Sequence, residues 1–164
     1  MTILSSKWML AGLALLAILL ILFVMGKKEV KTSIVINAST DQVWQALSSP
    51  EKIKEWNTVL IPLSGEFKEG TMVQYNFVQD ENSSTQLGAK VVKIEPKRLI
   101  NQEGGPVGIL TFNHSYILEP DGDLCRVTIH EKYRGIMVPF WNPNAVEKAY
   151  ERLLQQLKNH VENE

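Results

Sequence analysis

One cysteine in 164 residues rules out a disulfide within the chain, and no Cys/His pair stands at zinc-ligand spacing. No charge of one sign dominates. Lys and Arg number 17 and Asp and Glu 18, interspersed without a basic stripe, so nucleic-acid binding has no support. Ten glycines and seven prolines are too few for a collagen or a low-complexity chain. Gly104-Gly105-Pro106-Val107-Gly108 lacks the spacing of a phosphate-binding loop and the helix that should follow it. It reads as a flexible connection or lid. Hydrophobic runs long enough to cross a bilayer are absent with one exception, which excludes a polytopic channel.

That exception is residues 8–25, WMLAGLALLAILLILFVM, where 17 of 18 side chains are apolar and none is charged. At a helical rise of about 1.5 Å per residue the run spans roughly 27 Å, close to the hydrocarbon thickness of a membrane. Trp8 at one end and Lys27 and Lys28 at the other are typical interfacial residues. A cleaved signal peptide would have a shorter core and a better cleavage site than Val24-Met25-Gly26. The run is therefore expected to be a retained single-pass transmembrane helix. It follows a tail (1–7) and precedes a linker (26–30) and one domain (31–162). The lysines after the run, set against Lys7 and the α-amine before it, favour a cell-membrane protein whose domain lies on the cytoplasmic side.

Within the domain, residues 31–37 form a β-branched strand. Ser39-Thr-Asp-Gln42 is a capping box that opens a short helix, and Ser49-Pro50 opens a second, with serine as cap and proline at the first helical position. Period-two patterning then predicts strands at 61–67, 72–78, 85–94, 98–103, 110–119 and 124–133. Pro120-Asp-Gly-Asp123 joins the last two as a hairpin. Asn142-Pro143 starts a final helix with an apolar stripe at Val146, Ala149, Tyr150, Leu153, Leu157 and Val161. The order is α+β with an antiparallel sheet.

This order, and the residues at its landmarks, resemble the START-like (SRPBCC) superfamily, particularly its polyketide cyclase/dehydrase-like branch. The matching stretches are INASTDQVWQALSSPEKIKEWN, GTMVQYNF, ILEPDGDLCRVTIHEKY and the closing helix, together covering nearly all of residues 31–161. The resemblance implies a helix-grip fold, a curved antiparallel sheet wrapped around the C-terminal helix with a cavity between them. It also implies hydrophobic ligands such as lipids, sterols or polyketides, with cyclase or dehydratase activity in some members. Fold alone does not fix which of these applies. The apolar N-terminal run lies outside the shared region.

Alternation groups the side chains by face without needing a register. Phe112, His114, Tyr116 and Leu118 share the more apolar face of one strand, and Cys125, Val127, Ile129, Glu131 and Tyr133 that of the next. If the Asp-Gly pair is the turn, Phe112 lies opposite Glu131 and His114 opposite Ile129, which puts His114 and Glu131 on a diagonal. The matching face of 72–78 carries Val73, Tyr75 and Phe77. The expected ligand-binding set is therefore Trp56, Tyr75, Phe77, Phe112, His114, Tyr116, Glu131, Tyr133 and Tyr150. Trp56 and Trp141 either flank an opening or simply pack. Cys125 reads as an inert buried thiol.

Three functional readings follow. One is a membrane-anchored domain that holds a hydrophobic small molecule (a lipid, isoprenoid or polyketide) as carrier or sensor. Another is a cyclase or dehydratase in which His114 and Glu131 move a proton and Tyr116 orients a carbonyl. The last is an anchored interaction module with a filled core and no ligand. No cofactor or metal is expected, and the pattern is silent on oligomeric state.

Overall fold

The computed structural model describes residues 2–163. Helix α1 (Thr2–Met25) contains the apolar run; Lys7–Met25 is long and apolar enough to cross a membrane, and none of it is buried against the rest of the chain. A seven-stranded antiparallel sheet follows, made of β1 (Lys27–Ile36), β2 (Leu60–Ser64), β3 (Met72–Asp80), β4 (Ser83–Glu95), β5 (Leu99–Gly104), β6 (Thr111–Asp121) and β7 (Leu124–Arg134). The strand order is β1-β7-β6-β5-β4-β3-β2. Helices α2 (Thr40–Leu47) and α3 (Pro50–Trp56) lie between β1 and β2, and α4 (Asn144–Asn163) closes the chain. This is the helix-grip α+β arrangement the sequence pattern suggests.

Local chemistry accounts for the short helices. Ser39 Oγ accepts from Gln42 N–H at 3.4 Å while Gln42 Oε1 accepts from Ser39 N–H at 2.9 Å, completing the capping box. Ser49 Oγ accepts from Lys52 N–H, with Pro50 in the first turn. Ser39→Ala is expected to cost about 1 kcal/mol, read as a lower urea midpoint with an unchanged slope. An unaltered midpoint would mean the box adds nothing.

Helix α4 buries Val146, Ala149, Tyr150, Leu153, Leu154, Leu157 and Val161 against the sheet. Burying one such aliphatic side chain contributes roughly 1.5–3 kcal/mol. Two hydrogen bonds fix the helix laterally. Lys158 Nζ donates to Val35 O on β1 at 2.8 Å, and Arg152 donates to Gln79 O on β3 at 2.6 Å. The helix is thus held from both flanks of the sheet.

The structure departs from the sequence pattern in three places, the simplest being that the strand expected at 61–67 ends at Ser64, before Gly65 with its φ of +104°. Strand β1 starts at Lys27, where it pairs with Arg134, so of the residues read as a linker (26–30) all but Gly26 join the sheet, and Gly26 alone stands between α1 and β1. Lys28 hid this extension. It is a charged residue at an inward position, but its amine reaches the backbone carbonyls of Pro139 and Trp141. The hairpin turn is also displaced: Asp121 pairs with Leu124, leaving Gly122 and Asp123 as the two loop residues. Gly122 has φ +66°, and glycine at the first central position is what a type II′ hairpin turn requires.

Candidate functional site

The shifted turn moves β7 by two residues along β6, so His114 sits directly opposite Glu131 and Phe112 opposite Tyr133. The diagonal relation expected between His114 and Glu131 is replaced by a direct one. A two-residue shift keeps every side chain on its face, so both still point toward α4. His114 Nδ1 lies 3.4 Å from Glu131 Oε2, and the Tyr150 hydroxyl donates from α4 to the same carboxylate oxygen. Next along the sheet, Gln102 Nε2 donates to the Tyr75 hydroxyl at 2.8 Å. The His114 ring meets Tyr116 and Tyr150 edge-on, at 4.8 and 5.3 Å between centroids.

Burial is nearly complete. Glu131 is 3% exposed, His114 2% and Gln102 1%, a costly environment for ionisable or amide groups unless each is satisfied. Two atoms are not: among the described residues, His114 Nε2 and the Tyr116 hydroxyl have no hydrogen-bond partner. With Nδ1 facing the carboxylate, Nε2 is the ring nitrogen left for a further hydrogen bond. Burial, reinforced by the Glu131 carboxylate, pushes Tyr116, Tyr133 and Tyr150 above the ordinary phenol range. Burial also raises Tyr75, against the smaller opposing effect of its Gln102 hydrogen bond. These phenols are held neutral.

Leu60, Tyr75, Leu87, Ala89, Gln102, Phe112, His114, Glu131 and Tyr150 surround an internal cavity of about 20 Å³. That is room for one water molecule, well below the several hundred Å³ of a typical small-molecule site. Among the described residues no group of three His, Cys, Asp or Glu side chains could hold a metal ion. A much larger groove of about 640 Å³ lies on the other face of the sheet, around Lys90, Glu103, Asn113 and Lys132.

Of the nine residues singled out in the sequence, Tyr75, Phe112, His114, Glu131 and Tyr150 line the cavity. Tyr116 abuts His114, Phe77 packs on Tyr150 at 5.7 Å, and Tyr133 packs on Trp141 at 4.5 Å. Trp56 does not join them. Its indole donates to Ala46 O at 3.1 Å and its ring stacks on His160, away from the cavity. Gln102 was missed, although it alternates with Ile100 on the same inward face of β5 and could have been found from that parity. Cys125 is fully buried, and burial raises its thiol, which keeps it protonated.

The fold is shared with solved proteins of low sequence identity. Major latex-like protein 151 from Panax ginseng superposes with a TM-score of 0.70 at 13% identity, over 83% of this chain and 98% of that one. A Chromobacterium violaceum protein gives 0.66 at 15% identity, over 82% and 97%. A Thalictrum norcoclaurine synthase point mutant, bound to a transition-state analogue, gives 0.58 at 16% identity, over 84% and 95%. No curated protein sequence matches the chain. The family model described as polyketide cyclase / dehydrase and lipid transport matches residues 27–162, from the first residue of β1 nearly to the end of α4, and the chain belongs to that family within the START-like superfamily.

Proposed function

We propose that the protein is a membrane-anchored START-like domain that binds a hydrophobic small molecule with a polar end group, as carrier or sensor. The observation that supports this is the convergence of His114, Glu131, Tyr150, Tyr75 and Gln102 on one small cavity, with His114 Nε2 unpartnered among the described residues. A core built only for stability gains little from such a set, whereas a ligand's polar end could satisfy it. The apolar wall of Leu60, Leu87, Ala89 and Phe112 then suits the rest of the ligand. On this reading binding widens the present cavity by moving side chains or α4 away from the sheet. Helix α1 holds the domain beside a lipid source.

The size of the cavity favours a second reading, the anchored module with a filled core. The cyclase or dehydratase alternative rests on the His114–Glu131 contact and the free Nε2. Native mass spectrometry of the full-length chain, extracted in mild detergent, separates them. A hydrophobic adduct is expected on the wild type, with occupancy falling about tenfold in His114→Ala and in Glu131→Gln, as loss of one buried hydrogen bond predicts. A bare mass for all three proteins would support the filled core. Turnover of a recovered adduct that survives both substitutions would remove the pair as acid and base.

A further inference from the structure

At the end of the sheet where α1 arrives, three segments are tied together by their backbones. Gly135 N–H donates to Gly26 O at 3.0 Å, Ile136 N–H to Gly108 O at 3.1 Å and Met137 N–H to Ile109 O at 3.1 Å. Neither glycine of the first contact tolerates a side chain. A Cβ on Gly26 would stand 2.0 Å from Gly135 O, and one on Gly135, where φ is +139°, 2.2 Å from Ile109 O. The β5–β6 loop (105–110), the segment from β7 to α4 (135–143) and the exit of α1 therefore form one surface, with no flexible linker between it and the apolar helix.

This surface is unusually apolar for one exposed to water. Val107 is 92% exposed and Phe140 71%, and Ile109 and Met137 are about half exposed. Among the described residues after α1, the other exposed large hydrophobics are Leu63, Met72 and Val92. Single exposed apolar side chains are ordinary, but four gathered on two hydrogen-bonded segments are a patch.

The charges beside the patch are mainly cationic. On the sheet face turned away from α4, Lys27, Arg134 and Thr111 fall in one row across neighbouring strands. Glu29, Lys132, Asn113, Glu103 and Lys90 form the next row. Of the two acids, Glu29 is already engaged by His130 at 3.0 Å. Two residues of strand rise about 7 Å, so both rows fit within the headgroup layer of a bilayer whose hydrocarbon begins at α1. The 640 Å³ groove opens between these rows and Val107.

We propose that this end of the domain is a second membrane-contact surface, seated on the anionic leaflet from which α1 emerges. Val107, Ile109, Met137 and Phe140 insert among the headgroups, and Lys27, Lys132 and Arg134 bind lipid phosphates. The proposal rests on α1 being a membrane anchor. It gives the tether a purpose beyond attachment, because Phe112, a wall of the internal cavity, directly follows Thr111 of the basic row. A lipid would meet the cavity from the bilayer without crossing water.

The test uses the full chain in nanodiscs of phosphatidylcholine with phosphatidylglycerol, carrying a fluorophore on one introduced thiol. Cys125 is buried, so the new cysteine takes the label. Positions 107 and 140 are compared with 123 at the opposite end and 13 within α1, using brominated lipids as quenchers. Labels at Val107→Cys and Phe140→Cys should be quenched at least twice as strongly as at Asp123→Cys. That excess should fall by half or more when Lys132→Glu and Arg134→Glu are added. Equal quenching at 107, 140 and 123, with Leu13→Cys strongly quenched, would overturn the contact surface while leaving the anchor standing. An unquenched label at 13 would overturn the anchor, and the proposal with it. Quenching indifferent to the charge reversals would overturn the phosphate contacts.

Discussion

An alkaline titration of the folded protein is expected to show no tyrosinate absorbance near pH 10, and then a single step in which all the tyrosines ionise as the domain unfolds. The chain has four tyrosines, and each is buried with its phenol raised. In the unfolded chain they ionise at about pH 10. Above that pH the unfolded state binds fewer protons than the native state, so stability falls as pH rises. Below it, the contribution is constant. Each tyrosine that stays protonated in the fold costs up to about 1.4 kcal/mol per pH unit, and four together up to about 5.5 kcal/mol per unit. Domains of this size are stable by roughly 5–15 kcal/mol, so unfolding is expected within one to three units above pH 10. Ultraviolet absorbance and circular dichroism should move together. A phenol that titrates near pH 10 with the dichroism unchanged would show that one of the four is open to solvent.

That all four tyrosines sit on inward positions was legible in the sequence, because parity alone assigns them. Tyr75 alternates with Val73 and Phe77, Tyr116 with His114 and Leu118, and Tyr133 with Glu131, while Tyr150 belongs to the stripe of α4. The same parity placed His114 and Glu131 on one face and survived an error in register, since the hairpin turn moved by a step that preserves faces. The register itself was not legible. Asp-Gly and Gly-Asp are both acceptable two-residue turns, and the choice between them depends on which pairing the rest of the sheet prefers. The size of the cavity was hidden for a related reason. It depends on how side chains from β2 to β7 and α4 fill one volume, and no single strand carries that information. Trp56 shows the limit of composition as a guide. An aromatic residue near the expected ligand space turned out to serve the packing of α3.

Replacing the polar cluster as a set is expected to leave the domain as stable as the native protein, or more stable by about 1–4 kcal/mol, while single replacements weaken it. Tyr150→Phe alone removes a hydrogen bond to a buried carboxylate that also touches His114, and should cost roughly 1.5–3 kcal/mol. In the variant carrying His114→Leu, Glu131→Met, Tyr133→Phe and Tyr150→Phe together, no charge remains at the centre and no partner is left behind. The unpartnered Nε2 of His114 disappears with it. The apolar side chains resemble in volume the ones they replace, so the cavity of about 20 Å³ need not grow. Urea midpoints and slopes for the native, single and quadruple proteins measure the non-additivity directly. If the quadruple protein gains stability and loses the adduct seen on the native chain, the cluster is kept for its ligand at a cost to the fold. If the losses simply accumulate, His114, Glu131, Tyr133 and Tyr150 hold the sheet to α4, and the filled-core reading is the correct one.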